Sequence, residues 1–460
     1  MPTLADTAAW LDESLAELLA QHRIPGAAVA VLADGEVTDH AAGVLNTGTG
    51  VDSTVDSLFQ IGSISKVWTA TLAMQLVDEG LLGLDDPVRA HLPGFTVGDE
   101  QAAAGITVRQ LMCHTAGFEG DVFTDTGPGD DAVERLVASL SDVPQLFPPG
   151  ERFSYNNAGF CVLGRIIEVL RGKCWDDCVR EHLIAPLGLT HAAAGPYDAI
   201  RYRAAIGHVQ PGLDAEPVPA PVWALPRSNA PAGSTLAMSP RELLTFVHRH
   251  LVADSGTPVL SPESALAMRE PQVQAPDHGL MPDALGLGWL LYDWTGGPVF
   301  GHDGATIGQN AYLRVVPHRG VAVALSANGG RALHLYQEVM ARVLHDLADV
   351  VVPPLPAPAA GPAPVEVARF VGEYTSMVTD TVVSGDDAGR LWIERTPKGI
   401  LAEMGERPSK NELLPYRGET FVARIDPATG YYQPYTFVGD DGAGHAQFLY
   451  HGRADRRERS

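Results

Sequence analysis

Three short segments of this chain carry residue types suited to acyl chemistry, and the first is Ser63-Ile64-Ser65-Lys66. It follows Gly62 and heads the apolar stretch from Val67 to Met74. Positions three apart share one face of a helix, so a helix here stacks the Ser63 hydroxyl and the Lys66 amine within hydrogen-bonding reach. A neutral amine so placed takes the serine proton and leaves a nucleophilic oxygen. An ammonium does not, and the scheme therefore requires burial or a positive helix end to keep Lys66 uncharged part of the time. The chain has 19 serines and four lysines. Chance alone places such a pair in roughly one chain in six of this makeup, so spacing leaves open an ordinary helix start with a serine cap and a solvated lysine.

The second segment, Phe153-Ser154-Tyr155-Asn156-Asn157, precedes the helical apolar pattern from Cys161 to Leu170. A tyrosine held near a lysine passes a proton to a leaving group, and an asparagine amide donates to the lysine's partner or to a substrate carbonyl. A helix cap with a buried aromatic fits the same residues. The third segment, Gly301-His302-Asp303-Gly304-Ala305, ends the short strand-like run from Pro298 to Phe300. Gly304 lets a substrate lie close against an exposed strand edge. The Ala305 N–H would join that of Ser63 as an oxyanion hole, where each donor contributes ~2.7–4 kcal/mol to the transition state. A polar turn between strands is the other reading of this segment.

In order, Ser-x-x-Lys, Tyr-x-Asn and His-x-Gly resemble the penicillin-binding-protein and class C β-lactamase superfamily of active-site serine enzymes. Supporting stretches are Thr107 to Gly117, Pro149 to Phe153, Pro186 to Leu189 and Ala232 to Leu236. The resemblance covers most of residues 1–352. It implies Ser63 as nucleophile, Lys66 as general base, Tyr155 as proton relay, the Ser63 and Ala305 amides as oxyanion hole, and Asn157, His302, Asp303 and Gly304 as substrate-binding residues. It implies no cofactor and no metal. Where β-lactamases carry Lys-Thr-Gly, this chain has histidine, a weaker and pH-dependent cation for a ring carboxylate. Efficient β-lactam hydrolysis is therefore not expected. Relatives with His-x-Gly look like esterases, D-amino-acid amidases and peptidases, and acyl-transfer enzymes of secondary metabolism. The expected reaction is two-step acyl transfer on a small-molecule ester, amide or peptidyl substrate. Hydrolysis comes first, and a transacylase or a penicillin-binding-protein-type thioesterase/cyclase of natural-product assembly stands as the alternative. A non-catalytic sensor of acylated ligands is the reading from a different class.

These motifs need a scaffold that brings residues 63, 155 and 302 together. Strand patterns at 27–32 and 36–42, and again at 288–292, 311–316 and 321–327, enclose a middle of helices and long loops. Helices are expected at 8–22 and 333–347. The fold class is α+β: an antiparallel sheet flanked by helices plus an all-helical lobe, with the cleft between them. A Pro/Ala-rich linker at 353–364 then separates residues 1–352 from 365–460. The latter holds short strand patterns, such as 370–375, 391–395, 419–425, 431–438 and 446–451, that predict about eight strands. It resembles the lipocalin-like C-terminal domain attached to some serine hydrolases, with a filled core packed on the catalytic part. Arg453, Arg456 and Arg457 read as a solvated basic tail.

The formal net charge is −24, and residues 365–460, with 12 basic and 15 acidic side chains, hold only −3 of it. An acidic catalytic part excludes nucleic acid as a partner. No long uncharged apolar run appears, so no membrane partner is expected, and the start Met1-Pro2-Thr3-Leu4-Ala5-Asp6 has neither a basic region nor an apolar signal core. A cytoplasmic location is expected from this. Cys113, Cys161, Cys174 and Cys178 lack metal spacing and read as packed thiols. His248 and His250 lack a third ligand, and His114 reads as a buried histidine tying loops together.

Overall fold

The computed structural model describes residues 2–212, 215–251, 259–361, 365–403, 405–427 and 429–458. Helix α1 (Leu4–Gln21) begins earlier than its apolar spacing predicts, because Thr3 and Asp6 form a reciprocal capping box. It leads into β1 (Gly26–Ala33), β2 (Glu36–Asn46) and β3 (Val51–Asp52). The chain returns to this sheet through β4 (Val273–Gln274), β5 (Ala284–Leu285), β6 (Leu290–Trp294), β7 (Gly297–Ala305), β8 (Asn310–Val316) and β9 (Val321–Ala327). Among the described residues these nine strands order as β3-β2-β1-β9-β8-β7-β6-β5-β4. Val29 sits opposite both His40 and Leu325 in the antiparallel pairing. Every residue of β1 is buried, as expected of a central strand covered on both faces. On one face, α1 packs with the long C-terminal helix Ala332–Ala348 through a core that includes Leu11, Leu15, Leu335 and Val339. On the other, the helix Pro240–Leu251 leads into the helical lobe.

The lobe is built around α2 (Ser65–Asp78), which is buried from Ser65 to Met74 and has no polar face. A helix apolar all round belongs in an interior. Beside it runs α3 (Asn157–Arg171), capped by Asn156, whose side chain accepts from the Gly159 N–H at 2.6 Å. The third motif decides between its two sequence readings. His302 to Gly304 lie inside the nine-residue β7 and not in a turn, because β7 pairs with β8 through to Ala305↔Asn310.

Beyond residue 365 the described strands close an eight-stranded barrel, β10 (Gly372–Thr375) through β17 (Ala454–Arg457), in sequential order. Closure comes from Tyr374↔Arg457 and Thr375↔Arg456. Phe370, Phe421, Tyr435, Phe437 and Leu449 fill the interior. The proline-rich stretch before it is not a free spacer, since Pro356 is buried and the Ala359 N–H donates to the Pro415 carbonyl. The barrel also holds the loop ahead of β5: Thr420 Oγ1 donates to the Asp277 carbonyl at 2.7 Å, and Arg417 pairs with the Asp277 carboxylate. Among the described residues no helix is long and apolar enough to cross a membrane. The four cysteines are free thiols, three of them buried and Cys174 half-buried. The His250 side chain lies outside the described residues.

Candidate active site

Ser63 sits on a single 3-10 turn, Gly62–Ile64, that feeds directly into α2. Gly62 takes φ +52°, and a Cβ there would lie 2.5 Å from the Ala305 nitrogen. At Gly304 a Cβ would lie 1.9 Å from the Ile61 carbonyl oxygen and 3.0 Å from the Ser63 nitrogen. These two glycines therefore let the end of β7 press backbone to backbone against the turn that carries Ser63. Ser63 and Ala305 line the same cleft as a result.

The Lys66 side chain is completely buried, with Nζ 3.0 Å from Ser63 Oγ and donating to the Ala232 carbonyl at 2.6 Å. Burial pushes its pKa down to about 7. Its neighbour Cys161 is a buried thiol pushed up to about 12, and among the described residues no carboxylate forms an ion pair with the amine to restore its charge. This is the desolvation case of pKa perturbation, in which a lysine loses its charge for want of a partner. At neutral pH a large fraction of the amine is free to accept the Ser63 proton.

Tyr155 lies against both groups. Its side chain lines the same cleft as Ser63, and burial raises its pKa, so it stays a protonated phenol. Lys66 Nζ stands 4.8 Å from the ring centroid and the Arg453 guanidinium carbon 5.1 Å from it. His114 stacks on the ring at 4.4 Å, and its Nδ1 accepts the Asn156 N–H at 2.9 Å. Burial keeps this imidazole neutral, as a structural tie between loops. The backbone around Tyr155 is paired with the barrel: the Tyr155 N–H donates to the Gly452 carbonyl at 3.0 Å, and the Ala454 N–H donates to Ser154 Oγ at 3.1 Å.

His302 also departs from the sequence expectation. It is 1% exposed, its Nδ1 donates to the Asp303 carbonyl at 2.7 Å, and burial beside Lys66 lowers its pKa to about 4. A histidine so placed is neutral at physiological pH and is no substitute for a lysine cation. It leaves Nε2 as a buried acceptor without a protein partner among the described residues. Acylation rates of a His302→Gln variant are expected to follow the wild-type pH profile between pH 5 and 9, with altered substrate preference. A missing or displaced limb in that range would contradict the neutral assignment.

The other predicted residues reach the same cleft, a cavity of about 400 Å³. Asp303 is held by both guanidinium nitrogens of Arg314 at 2.6 and 3.0 Å, and Arg314 is itself buried against Tyr292 and Tyr336. Asn157 heads α3 and donates to Asp121 Oδ1 at 2.7 Å, so the second partner of Lys66 is the Ala232 carbonyl and not this amide. Sequence reasoning missed Asp121 and misplaced Arg453. The latter is no solvated tail: it is ion-paired with Asp121 at 2.6 Å and lines the cleft beside Ser63. Phe123, Leu225, Met281 and Leu290 form the apolar part of the lining.

The beta-lactamase family model matches residues 11–342. Penicillin-binding protein 4 of Amycolatopsis lactamdurans is 46% identical over 374 residues, covering 80% of this chain and 97% of that protein. Among solved structures, SurE superposes with TM-score 0.80 at 31% identity over 99% of both chains. SurE with D-Leu gives 0.77 at 32%, over 99% of this chain and 100% of that one. The D-amino acid amidase from Ochrobactrum anthropi SV3, complexed with L-phenylalanine amide, shares the fold at TM-score 0.62 and 23% identity, over 74% of this chain and 99% of that one. With the match spanning most of the chain and the helical lobe, sheet and cleft in place, this protein belongs to the beta-lactamase family.

Proposed function

We propose that this protein transfers acyl groups from peptidyl esters, thioesters or amides through an acyl-Ser63 intermediate, with a D-residue at the acyl carbon. The observation that carries the proposal is the fully buried Lys66 amine 3.0 Å from Ser63 Oγ, with a pKa of about 7. Neutral Lys66 accepts the hydroxyl proton as Ser63 Oγ attacks the carbonyl carbon. The tetrahedral oxyanion is held by the N–H groups of Ser63 and Ala305. The phenol of Tyr155 donates its proton to the departing group and is reprotonated from the Lys66 ammonium. In the second step an acceptor attacks the acyl carbon, Lys66 takes the acceptor's proton, and the ammonium so formed passes that proton to Ser63 Oγ as it leaves.

Preference for a D-residue is supported by the full-length similarity to SurE, whose structure has been solved with D-Leu. Water as acceptor gives hydrolysis. An amine as acceptor is the second reading, favoured by the Asp303 carboxylate and the unpartnered Nε2 of His302 in the cleft, which offer hydrogen-bond acceptors to the N–H groups of an incoming amine. A substrate's own amine would then close a ring.

The test incubates the protein with a D-leucyl-ended peptidyl thioester, its L-epimer and a fluorophosphonate, and follows Ser63 adducts and products by mass spectrometry. Acylation by the D-epimer is expected to be at least about tenfold faster, a modest margin for pocket discrimination. Ser63→Ala is expected to abolish both labels. Equal rates for the epimers would remove the D-preference. A wild-type protein that takes neither label would favour the acyl-ligand sensor.

A further inference from the structure

Asp121 belongs to none of the three motifs, yet its carboxylate holds two cleft residues that come from distant parts of the chain. Oδ1 accepts from Asn157 Nδ2 at 2.7 Å and from Arg453 Nη2 at 3.2 Å, while Oδ2 accepts from Arg453 Nε at 2.6 Å. The Asp121 side chain is 11% exposed, so these bonds meet little competition from water. A carboxylate is an acceptor only, which decides that the amide nitrogen of Asn157 faces Asp121. Arg453 has no other ion-pair partner among the described residues. Without this fork-like contact, a long arginine side chain has many rotamers open to it. Held as it is, its guanidinium lies 5.1 Å over the Tyr155 ring, in the cleft that Ser63 also lines.

Resting on the acyl-transfer reading above, we propose that Asp121 is a positioning residue that fixes Asn157 and Arg453 as a two-armed clamp for the carbonyl oxygens of a peptidyl acyl donor. One arm is the second N–H of the Asn157 amide, and the other is the guanidinium edge not used by Asp121. The clamp spans the helical lobe and the barrel, so it forms only when both are seated. Asp121 itself touches no substrate. It acts by removing the rotational freedom of the two groups that do, which lowers the ordering cost of binding.

Asp121→Asn keeps the shape and one acceptor oxygen and drops the charge. For the D-leucyl peptidyl thioester, KM is expected to rise about tenfold or more with kcat falling less than threefold, and Arg453→Met is expected to behave alike. Because Asp121 holds both arms, adding Arg453→Met to Asp121→Asn is expected to cost no more than about twofold beyond Asp121→Asn alone. A wild-type KM for Asp121→Asn, or single effects that multiply in the double variant, would overturn the proposal. Turnover is not the sole readout. A crystal structure of Asp121→Asn is expected to show Arg453 off the Tyr155 ring and the Asn157 amide rotated, and both in their present places would equally overturn it. Failure of wild-type Ser63 to take up a fluorophosphonate would instead strike the acyl-transfer reading, while the crystal structure still decides the placement.

Discussion

Replacing Lys66 with methionine is expected to slow acylation of Ser63 by about 10²–10⁴-fold at pH 8, the range associated with losing a positioned general base, while making the folded protein more stable. The wild-type acylation rate is expected to rise through an acid limb near pH 7, where the amine loses its proton. Lys66→Met should lack that limb. The sign of the stability change follows from linkage. The folded pKa, about 7, lies below the ordinary lysine value of 10.5, so between these values the unfolded chain binds more protons and wild-type stability rises with pH. Below pH 7 the folded state bears the full penalty of a buried ammonium, on the order of several kcal/mol. The methionine variant should therefore gain most near pH 6 and progressively less toward pH 10, as read by denaturant unfolding across that range. A stability gain that is flat with pH, or an acid limb retained in the variant, would remove Lys66 from the base role.

Gly304→Ala is the second large effect. The added Cβ would lie 1.9 Å from the Ile61 carbonyl oxygen, a backbone atom with no side-chain torsion by which to yield. Either β7 or the Gly62–Ile64 turn must retreat, which parts the Ser63 and Ala305 amides. Loss of one oxyanion donor typically costs 10²–10³-fold, and acylation by the peptidyl thioester is expected to fall by at least about that much. Gly320→Ala is a useful control, because that glycine has no atom within 4 Å of its Cβ position, though its φ of +62° makes some strain unavoidable. If Gly304→Ala acylates like wild type with an unchanged melting temperature, the close contact is not what aligns the hole.

Residues joined by local spacing were legible in the sequence. Ser63 and Lys66 are three apart at a helix start, and helical geometry alone brings them together. The sheet and the barrel were legible in outline from alternating strand patterns, and the expected count of about eight barrel strands matches the eight described, although strands such as Thr379–Gly385 and Ser409–Arg417 were not individually placed. What stayed hidden is non-local. Ala232 contributes a carbonyl oxygen, which any residue possesses and no composition betrays. Asp121 and Arg453 are 332 positions apart, and nothing in either segment announces the other. The Arg453 run looked solvated because Arg456 is exposed and Arg457 only half-buried, while Arg453 lines the cleft. His302 was legible as a motif residue. Its charge was not, since that depends on burial produced by the assembled cleft.

The pairing of Ser154 and Tyr155 with Gly452 and Ala454 joins positions about 300 residues apart. At a ribosomal pace of about 5–20 residues per second, the barrel segment follows the phenol by roughly 15–60 s. Throughout that interval a growing polypeptide has its serine and lysine but lacks the final brace around the tyrosine. The brace around Tyr155 is thus complete only once translation has passed residue 454, so the barrel sets the moment at which the cleft reaches its final shape.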